Sequence, residues 1–387
     1  MKHKQYLKIY IFSSLLFITP FIVTFLFIFR AGELKSVDEI VHIQHNSNAI
    51  YGSAYSNNSE SYKLALARFV QPKICTLGSS RVLQLRQESF KESFANYGGV
   101  VTNLAKGERF LVKLLAEHVP EIIIMGLDCW WFNPNFLKNQ SAFPSPIANS
   151  TITTAKLTKP LWHLFRRKIS FKDFYETILS AEQANTSLTR FPRIGVKGLM
   201  NSSGFRKDGS MFYGDRLLKD DTQIRLHAFE ANLAQIESGS RYFMHGAHVD
   251  SSALAHLEAI VNLCKEKEVK LIFFFPPFAP SIWKAMQDHS QDYAYIRKIS
   301  SILQANGIEI HNFHDIRPLN GVDSEFLDGF HGGDIAFQRV LLKLASKEPY
   351  WAKWIAIDNV KNNIKKFTGQ YLTISQPQMY KVLPPSH

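Results

Sequence analysis

The chain has 387 residues and a formal net charge of +12, and 45% of its residues are hydrophobic. This size allows one large domain with a sizeable core, or a domain that carries an inserted cap. Three cysteines, Cys75, Cys129 and Cys264, are too few for a disulfide framework, which leaves one pair or three buried thiols, and they show no CxxC or zinc-type spacing. No block of five or more like charges indicates a nucleic-acid-binding tail.

A charge-free run at residues 9–29 predicts one membrane-spanning helix. At about 1.5 Å per residue, it crosses a hydrocarbon core of about 30 Å. Lys2, Lys4 and Lys8 precede the run, which favours a cytoplasmic N-terminus and a main domain outside the cytoplasm, in the bacterial periplasm. A cleaved signal peptide is one alternative, although the run exceeds a usual h-region and no small-x-small site follows it. A soluble cytoplasmic protein is the other alternative, if the run does not insert.

Composition and pattern divide the chain into four parts. We expect a membrane anchor at residues 1–35, a connection at 36–72, an α/β domain at 73–345 and a C-terminal appendage at 346–387. The appendage either packs on the domain or lies at the membrane interface, and packing is the favoured interpretation.

Short apolar runs bounded by Gly, Pro or polar residues predict the strands of a buried parallel sheet. They lie at residues 73–77, 121–126, 269–275 and 307–312, with a further strand near 95–102. Amphipathic helical patterns separate them. This alternation predicts an α/β fold with a doubly wound, three-layer parallel sheet.

The runs at residues 121–126 and 269–275 are too far apart in the sequence to be joined by a single crossover connection. Residues 130–250 are therefore expected to form a large insertion, with a turn or hairpin at residues 204–214. An insertion at the strand ends would act as a cap that helps to choose the substrate.

Two short motifs about 250 residues apart carry the candidate chemistry. In Gly78-Ser79-Ser80-Arg81 the first strand breaks and brings a serine to the start of a helix. In Asp328-Gly-Phe-His331 a carboxylate and an imidazole lie three residues apart. A serine hydroxyl needs a base to take its proton and the base needs an orienting acid, so Ser80, His331 and Asp328 form a candidate nucleophile, base and acid.

These motifs resemble the first and last sequence blocks of the SGNH (GDSL-like) hydrolase superfamily, particularly its membrane-anchored members linked to polysaccharide and cell-envelope O-acylation. The resemblance covers roughly residues 70–130 and 250–345, and it places the nucleophile at Ser80, not Ser79. Asn96-Tyr-Gly98-Gly99 is similar to the second block, whose glycine N–H helps to form the oxyanion hole. The resemblance therefore implies Gly98 as an oxyanion donor, with Gly99 as its possible replacement.

The third block departs from the family pattern. The family has Gly-x-Asn-Asp, whereas this chain has Gly126-Leu-Asp128, and an ionised carboxylate cannot donate a hydrogen bond. The oxyanion would then depend on backbone N–H groups or on Trp130, Asn133 or Asn103. Arg81 either attracts an anionic group of the substrate or pairs with a surface carboxylate.

The sequence thus predicts an SGNH-type serine esterase or O-acyltransferase that acts on an envelope polysaccharide or acylated glycan through an acyl-Ser80 intermediate. An integral membrane partner would be a possible acyl donor. Serine chemistry needs no metal or organic cofactor. The alternative is a non-catalytic subunit that binds a glycan or a partner in an envelope acylation or export complex. The positive charge suits an anionic glycan or lipid headgroups, and it equally suits simple solubility.

One further group of residues resembles a metal site only loosely. His245-Gly-Ala-His248-Val-Asp250 offers three ligating side chains, but its spacing fits no zinc pattern, and solvated loop residues are the favoured interpretation.

Overall fold

A computed structural model describes residues 2–138, 152–179, 192–201, 203–214, 222–347 and 349–373. Within these ranges the chain forms a mixed α/β structure with one long apolar helix at its N-terminus. The strands are β1 (Ile50–Tyr51), β2 (Ile74–Gly78), β3 (Phe94–Gly98), β4 (Ile122–Gly126), β5 (Arg193–Ile194), β6 (Gly204–Phe205), β7 (Met211–Phe212), β8 (Lys270–Phe275) and β9 (Ile310–Asn312). The helices are Lys2–Arg30, Val37–Ser47, Ser59–Val70, Leu104–Glu117, Pro134–Lys138, Thr154–Phe165, Phe171–Leu179, Val196–Asn201, Thr222–Ser238, Ser251–Glu266, Pro280–Asp288, Ala294–Ala305, Asp334–Lys347, Pro349–Ala352 and Ile357–Phe367.

The main sheet has five parallel strands in the order β3-β2-β4-β8-β9. The predicted parallel sheet is thus confirmed, and each strand lies within a few residues of its predicted position. The prediction succeeded best for β2, β4 and β8, because these strands are short and mainly apolar, which is typical of strands buried on both faces.

Successive side chains of these strands point to opposite faces of the sheet and therefore pack into two separate hydrophobic cores. Cys75 and Leu77 of β2 join a large core on one face, which includes the helices Leu104–Glu117 and Ser251–Glu266. Ile74, on the other face, joins a second core with the helix Asp334–Lys347. Helices therefore cover both faces of the main sheet.

A second, small sheet connects two parts of the chain that are distant in sequence. It has the order β5-β1-β6-β7, so a strand from the expected connection pairs with strands from the expected insertion. β6 and β7 form the predicted hairpin. The helices Val37–Ser47 and Ser59–Val70 also pack into the large core. Residues 36–72 are therefore an integral part of the folded domain as well as a link to the N-terminal helix.

The C-terminal part packs on the second core, as the favoured interpretation expected. Trp351, Trp354 and Val360 are buried there. Residues 374–387 of the predicted appendage lie outside the described residues.

The three cysteines are buried and free, in agreement with one of the two alternatives from the sequence.

The helix Lys2–Arg30 is long and apolar enough to cross a membrane. Most of its side chains are exposed as far as Pro20, whereas Thr24, Phe27 and Ile28 are buried against the rest of the protein. Its last turns are therefore fixed to the domain, while its first part extends away from it.

Candidate active site

The candidate site lies at the carboxyl edge of the main sheet. Ser79 and Ser80 follow β2 directly, and residues Ser80–Val82 form a short 3-10 helix. The Ser79 hydroxyl accepts a hydrogen bond from the N–H of Arg81 at 3.1 Å, which caps this turn. Ser80 is consequently held at the strand end, where the residue is partly buried.

A continuous hydrogen-bond chain joins the three predicted catalytic residues. Ser80 Oγ lies 2.8 Å from His331 Nε2, and His331 Nδ1 lies 2.7 Å from Asp328 Oδ2. Because an ionised Asp328 can only accept, His331 carries its proton on Nδ1 and its Nε2 is free to accept the serine proton. The side chains of His331 and Asp328 remain 17% and 19% exposed, so the triad can be reached from solvent.

The Asp328 carboxylate is stabilised in its charged form. Burial alone would raise its pKa, but attraction to the positive charge that His331 carries when it is protonated, together with hydrogen bonds from its side chain and from backbone N–H groups, outweighs burial and holds the pKa of Asp328 below its ordinary value. The backbone N–H groups of Phe330 and His331 donate to Asp328 Oδ1 at 3.2 and 3.0 Å. The acid is therefore ionised and fixed in orientation.

Gly329 allows the tight turn between the acid and the base. Its φ of +99° lies in the region that disfavours residues with a side chain, and a Cβ there would come within 2.4 Å of Ile282 Cγ1. Its carbonyl accepts from the N–H of Ala279 at 2.8 Å. The glycine in Asp-Gly-Phe-His thus lets the turn lie directly on the start of the helix Pro280–Asp288.

Arg81 is wholly buried beneath the site and does not face a substrate. Its Nε donates to the carbonyl of Phe330 at 3.0 Å, and its Nη2 donates to the carbonyls of Pro276 and Pro277 at 2.9 and 2.7 Å. Its guanidinium also lies over the ring of Phe278, 4.2 Å from the centroid. Arg81 therefore connects the nucleophile turn to the loop after β8 and to the loop that carries His331.

Asp128 is the charge partner of Arg81. Their side chains are 0% and 1% exposed, and Arg81 Nη1 lies 3.3 Å from Asp128 Oδ1. Burial raises the pKa of Asp128, an effect that the charge of Arg81 partly opposes. Asp128 thus forms a buried ion pair, and Arg81 meets neither of its two sequence-based alternatives, because its carboxylate partner lies in the interior.

The expected oxyanion donors are already engaged in other hydrogen bonds. The N–H of Gly98 donates to Asn96 Oδ1 at 2.7 Å, and the N–H of Gly99 donates to the carbonyl of Gly78 at 3.0 Å. The Asn133 amide donates to the carbonyls of Met244 and His245.

The structure therefore brings Ser80, His331 and Asp328 together, but it does not direct Gly98, Gly99 or Asn133 towards a substrate. The backbone N–H of Ser80 remains a candidate oxyanion donor, because the first N–H groups of a helical turn have no partner within that turn.

One asparagine and one arginine side chain support the loop that carries Asp328 and His331. The sequence did not indicate this role for either of them. Asn232 Nδ2 donates to the carbonyl of Asp328 at 2.7 Å, and Arg225 Nη2 donates to the carbonyls of Ser324 and Phe326. Both lie on the helix Thr222–Ser238 of the expected insertion. No local signal in the sequence links this helix to a loop almost 100 residues later.

The weak metal motif has structural roles. Asp250 caps the helix Ser251–Glu266, and the Nε2 of His245 lies 2.9 Å from the carbonyl of Ile236. Among the described residues, no group of three or more His, Cys, Asp or Glu side chains is arranged to hold a metal ion.

Comparison of the chain with protein-family models, with curated proteins and with solved structures found no match.

Proposed function

We propose that this protein is a serine-dependent acyl-transfer enzyme that forms an acyl-Ser80 intermediate. The observation that carries the proposal is the hydrogen-bond chain from Ser80 through His331 to Asp328. This chain has the order of nucleophile, base and orienting acid that activates a serine in unrelated folds.

The first half-reaction follows from the geometry. Ser80 Oγ attacks the acyl carbonyl and its proton passes to His331 Nε2, which lies 2.8 Å away. The oxyanion collapses, the ester bond breaks, and the departing oxygen takes the proton from His331. Asp328 stabilises the imidazolium that exists between these two proton transfers.

The second half-reaction repeats the same steps in reverse order. A water molecule or a sugar hydroxyl gives its proton to His331 and attacks the acyl carbon. The bond to Ser80 Oγ then breaks, and the serine regains its proton. A water acceptor gives ester hydrolysis and a sugar acceptor gives O-acyltransfer, so both reactions use the same three residues.

The sheet supports a relation to the SGNH (GDSL-like) superfamily. Its five parallel strands follow the order 2-1-3-4-5 when numbered along the chain, which is a common order in doubly wound folds. In such folds, ligands bind outside the carboxyl ends of the strands where the strand order reverses. Ser80 follows β2, at that position. The expected insertion supplies Asn232 and Arg225, which hold the loop that carries Asp328 and His331.

The proposed substrate is an O-acylated envelope polysaccharide outside the cytoplasm. The apolar helix Lys2–Arg30 supports a single-pass anchor with the main domain in the bacterial periplasm. An anchored enzyme remains close to a membrane-linked glycan or to an integral membrane protein that donates the acyl group.

An ester-hydrolysis assay with the full chain in detergent tests this proposal. We expect wild type to release the chromogen from an acetyl ester, and Ser80→Ala and His331→Ala each to lower kcat by about 1,000-fold or more. Ser79→Ala is the matched control, because it removes a neighbouring hydroxyl that caps the turn and leaves the proposed nucleophile in place. Equal turnover by wild type and Ser80→Ala would contradict the proposal.

A second candidate function is non-catalytic binding of a glycan or partner within an acylation or export complex. The engaged N–H groups of Gly98 and Gly99 favour it, because they reduce the supply of oxyanion donors. Absence of turnover together with equal retention of a glycan or partner by wild type and Ser80→Ala would support this second function over the first.

A further inference from the structure

Exposed aromatic side chains lie on two helices that are consecutive in the chain, Thr154–Phe165 and Phe171–Leu179, and that both contact the helix Lys2–Arg30. Trp162 and Phe165 are 51% and 79% exposed, and Phe171 and Tyr175 are 78% and 63% exposed. The rings of Trp162 and Phe165 stack at 5.7 Å and border a shallow groove of about 590 Å³. We call these four residues the aromatic surface. A cluster of large apolar side chains of this kind usually marks a site of interaction with a membrane or a protein.

The helices that bear the aromatic surface pack against the last turns of the helix Lys2–Arg30. Phe174 stacks on Phe27 with ring centroids 4.3 Å apart, and Leu164 joins the same apolar cluster, with Val23 at its edge. Val23 and Phe27 lie inside the charge-free run of residues 9–29.

These contacts fix the depth of the helices Thr154–Phe165 and Phe171–Leu179 relative to the helix Lys2–Arg30. At about 1.5 Å per residue, Val23 lies about 9 Å and Phe27 about 3 Å before the end of that run. If the run fills the hydrocarbon core, side chains that touch these residues are at the level of the outermost hydrocarbon and the headgroups. This is the depth at which interfacial helices bury their apolar faces.

The charges nearby suit an anionic lipid surface. Residues 152–179 contain six lysine or arginine residues and two carboxylates. Arg166, Arg167, Lys168 and Lys172 are exposed around the aromatic residues, and the guanidinium of Arg166 lies over Trp162, 4.5 Å from the ring centroid. Aromatic side chains surrounded by cations are typical of segments that lie in the headgroup region.

We infer that the aromatic surface lies in the interfacial layer of an anionic bilayer, beside the point where the helix Lys2–Arg30 leaves the membrane. The inference rests on the proposed membrane anchoring. It goes further because the protein then has two membrane contacts, and the main domain is held against the lipid surface instead of moving freely on one helix.

Depth measurements on the full chain in lipid nanodiscs, with one chain in each disc, test the inference. Nitroxide labels at Phe165→Cys and Phe171→Cys are compared with a label at Val112→Cys, an exposed position on the helix Leu104–Glu117. The native cysteines are buried, and labelling of the wild type gives their background. In discs that contain phosphatidylglycerol, we expect labels at 165 and 171 to be accessible to oxygen but shielded from a water-soluble nickel chelate. The label at 112 should be open to the chelate.

A label at Phe17→Cys, which is 72% exposed on the N-terminal helix, reports the anchor separately. Shielding at 17 together with chelate access at 165 and 171 equal to that at 112 would overturn the inference and leave the anchor intact. Chelate access at all four positions would overturn the inference and the anchoring on which it rests. Because one isolated chain occupies each disc, shielding cannot come from a second copy or another protein.

Two changes test the role of lipid charge. The first replaces the anionic lipid with phosphatidylcholine alone, and the second places the double variant Arg166→Gln/Arg167→Gln in the discs that contain phosphatidylglycerol. Each change should increase chelate access at 165 and 171 by severalfold, since each removes an attraction between the cations and the headgroups. Unchanged access in both would overturn the preference for anionic lipid. Ester turnover reports the proposed chemistry separately in the same preparations.

Discussion

Arg81 shows how one side chain at the residue scale can determine the shape of the site. Its buried guanidinium hydrogen-bonds the carbonyls of Pro276, Pro277 and Phe330 and forms an ion pair with Asp128. Phe330 directly precedes His331, so the position of the base depends on this arginine. We therefore regard Arg81 as a positioning residue that acts through the His331 loop.

Arg81→Met should destabilise the protein by about 3–5 kcal/mol, because it leaves the buried charge of Asp128 without a partner. The double variant Arg81→Met/Asp128→Leu removes both charges and should recover much of that loss in denaturant unfolding. Its ester turnover should nevertheless remain low, since the carbonyl of Phe330 has lost its donor. Full recovery of turnover in the folded double variant would show that Arg81 does not position the base.

Arg81 and Asp128 also show what a single sequence cannot predict at this scale. Ser80, Asp328 and His331 could be predicted as a candidate triad, because serine chemistry requires these residue types and the sequence offers them in two short motifs, one directly after a strand and one before a helix. The orientation of the Arg81 side chain depends on hydrogen-bond partners about 47, 195 and 249 residues later in the chain. No local sequence pattern connects Arg81 to these partners. Gly98 and Gly99 were assigned by resemblance, and their N–H groups are used within the fold.

At the scale of elements, the turn Asp328-Gly-Phe-His331 depends on Gly329 for two separate reasons. Its φ is positive, and a Cβ would lie only 2.4 Å from Ile282. Gly307 provides a matched comparison, because its φ is also positive, at +70°, but no atom lies within 4 Å of its hypothetical Cβ.

Gly307→Ala should therefore cost about 1–2 kcal/mol of stability from backbone strain alone. Gly329→Ala should cost about 3 kcal/mol or more, because the overpacking against the helix Pro280–Asp288 adds to the strain. Chemical unfolding of both variants measures this difference. Equal destabilisation would mean that the close packing of Gly329 on Ile282 carries no energetic cost.

The elements were predicted with unequal success for a physical reason. β2, β4 and β8 are continuous apolar runs, so their burial is visible in the sequence. β1 and β5 contain two residues each and are more than 140 residues apart, so their pairing arises only from tertiary packing.

At the scale of the whole molecule, Lys63 links the main sheet to the small sheet. Its buried Nζ donates to the carbonyl of Asn96 in β3 at 2.7 Å and to the carbonyl of Gly209 between β6 and β7. Burial lowers the pKa of Lys63 to about 7, although the charge of Asp208 partly opposes this shift.

This shift predicts a stability that rises with pH. Between about pH 7 and the ordinary lysine pKa of about 10.4, the unfolded chain holds a proton on Lys63 that the folded chain has released. The free energy of unfolding should therefore increase with pH, by at most about 1.4 kcal/mol per unit from this group. Lys63→Met should flatten the dependence between pH 7.5 and 9 in urea unfolding, whereas Lys91→Met, at an exposed position, should leave it unchanged. An unchanged slope in Lys63→Met would contradict this prediction.

The central claim is that Ser80 is a nucleophile activated by His331, and the most direct test is covalent labelling of the full chain with a fluorophosphonate. Mass spectrometry of the labelled peptide locates the modified residue. The account predicts one adduct on Ser80 in wild type and in Ser79→Ala, and none in Ser80→Ala or His331→Ala. An adduct on Ser79, or no adduct on folded wild-type protein, would contradict it.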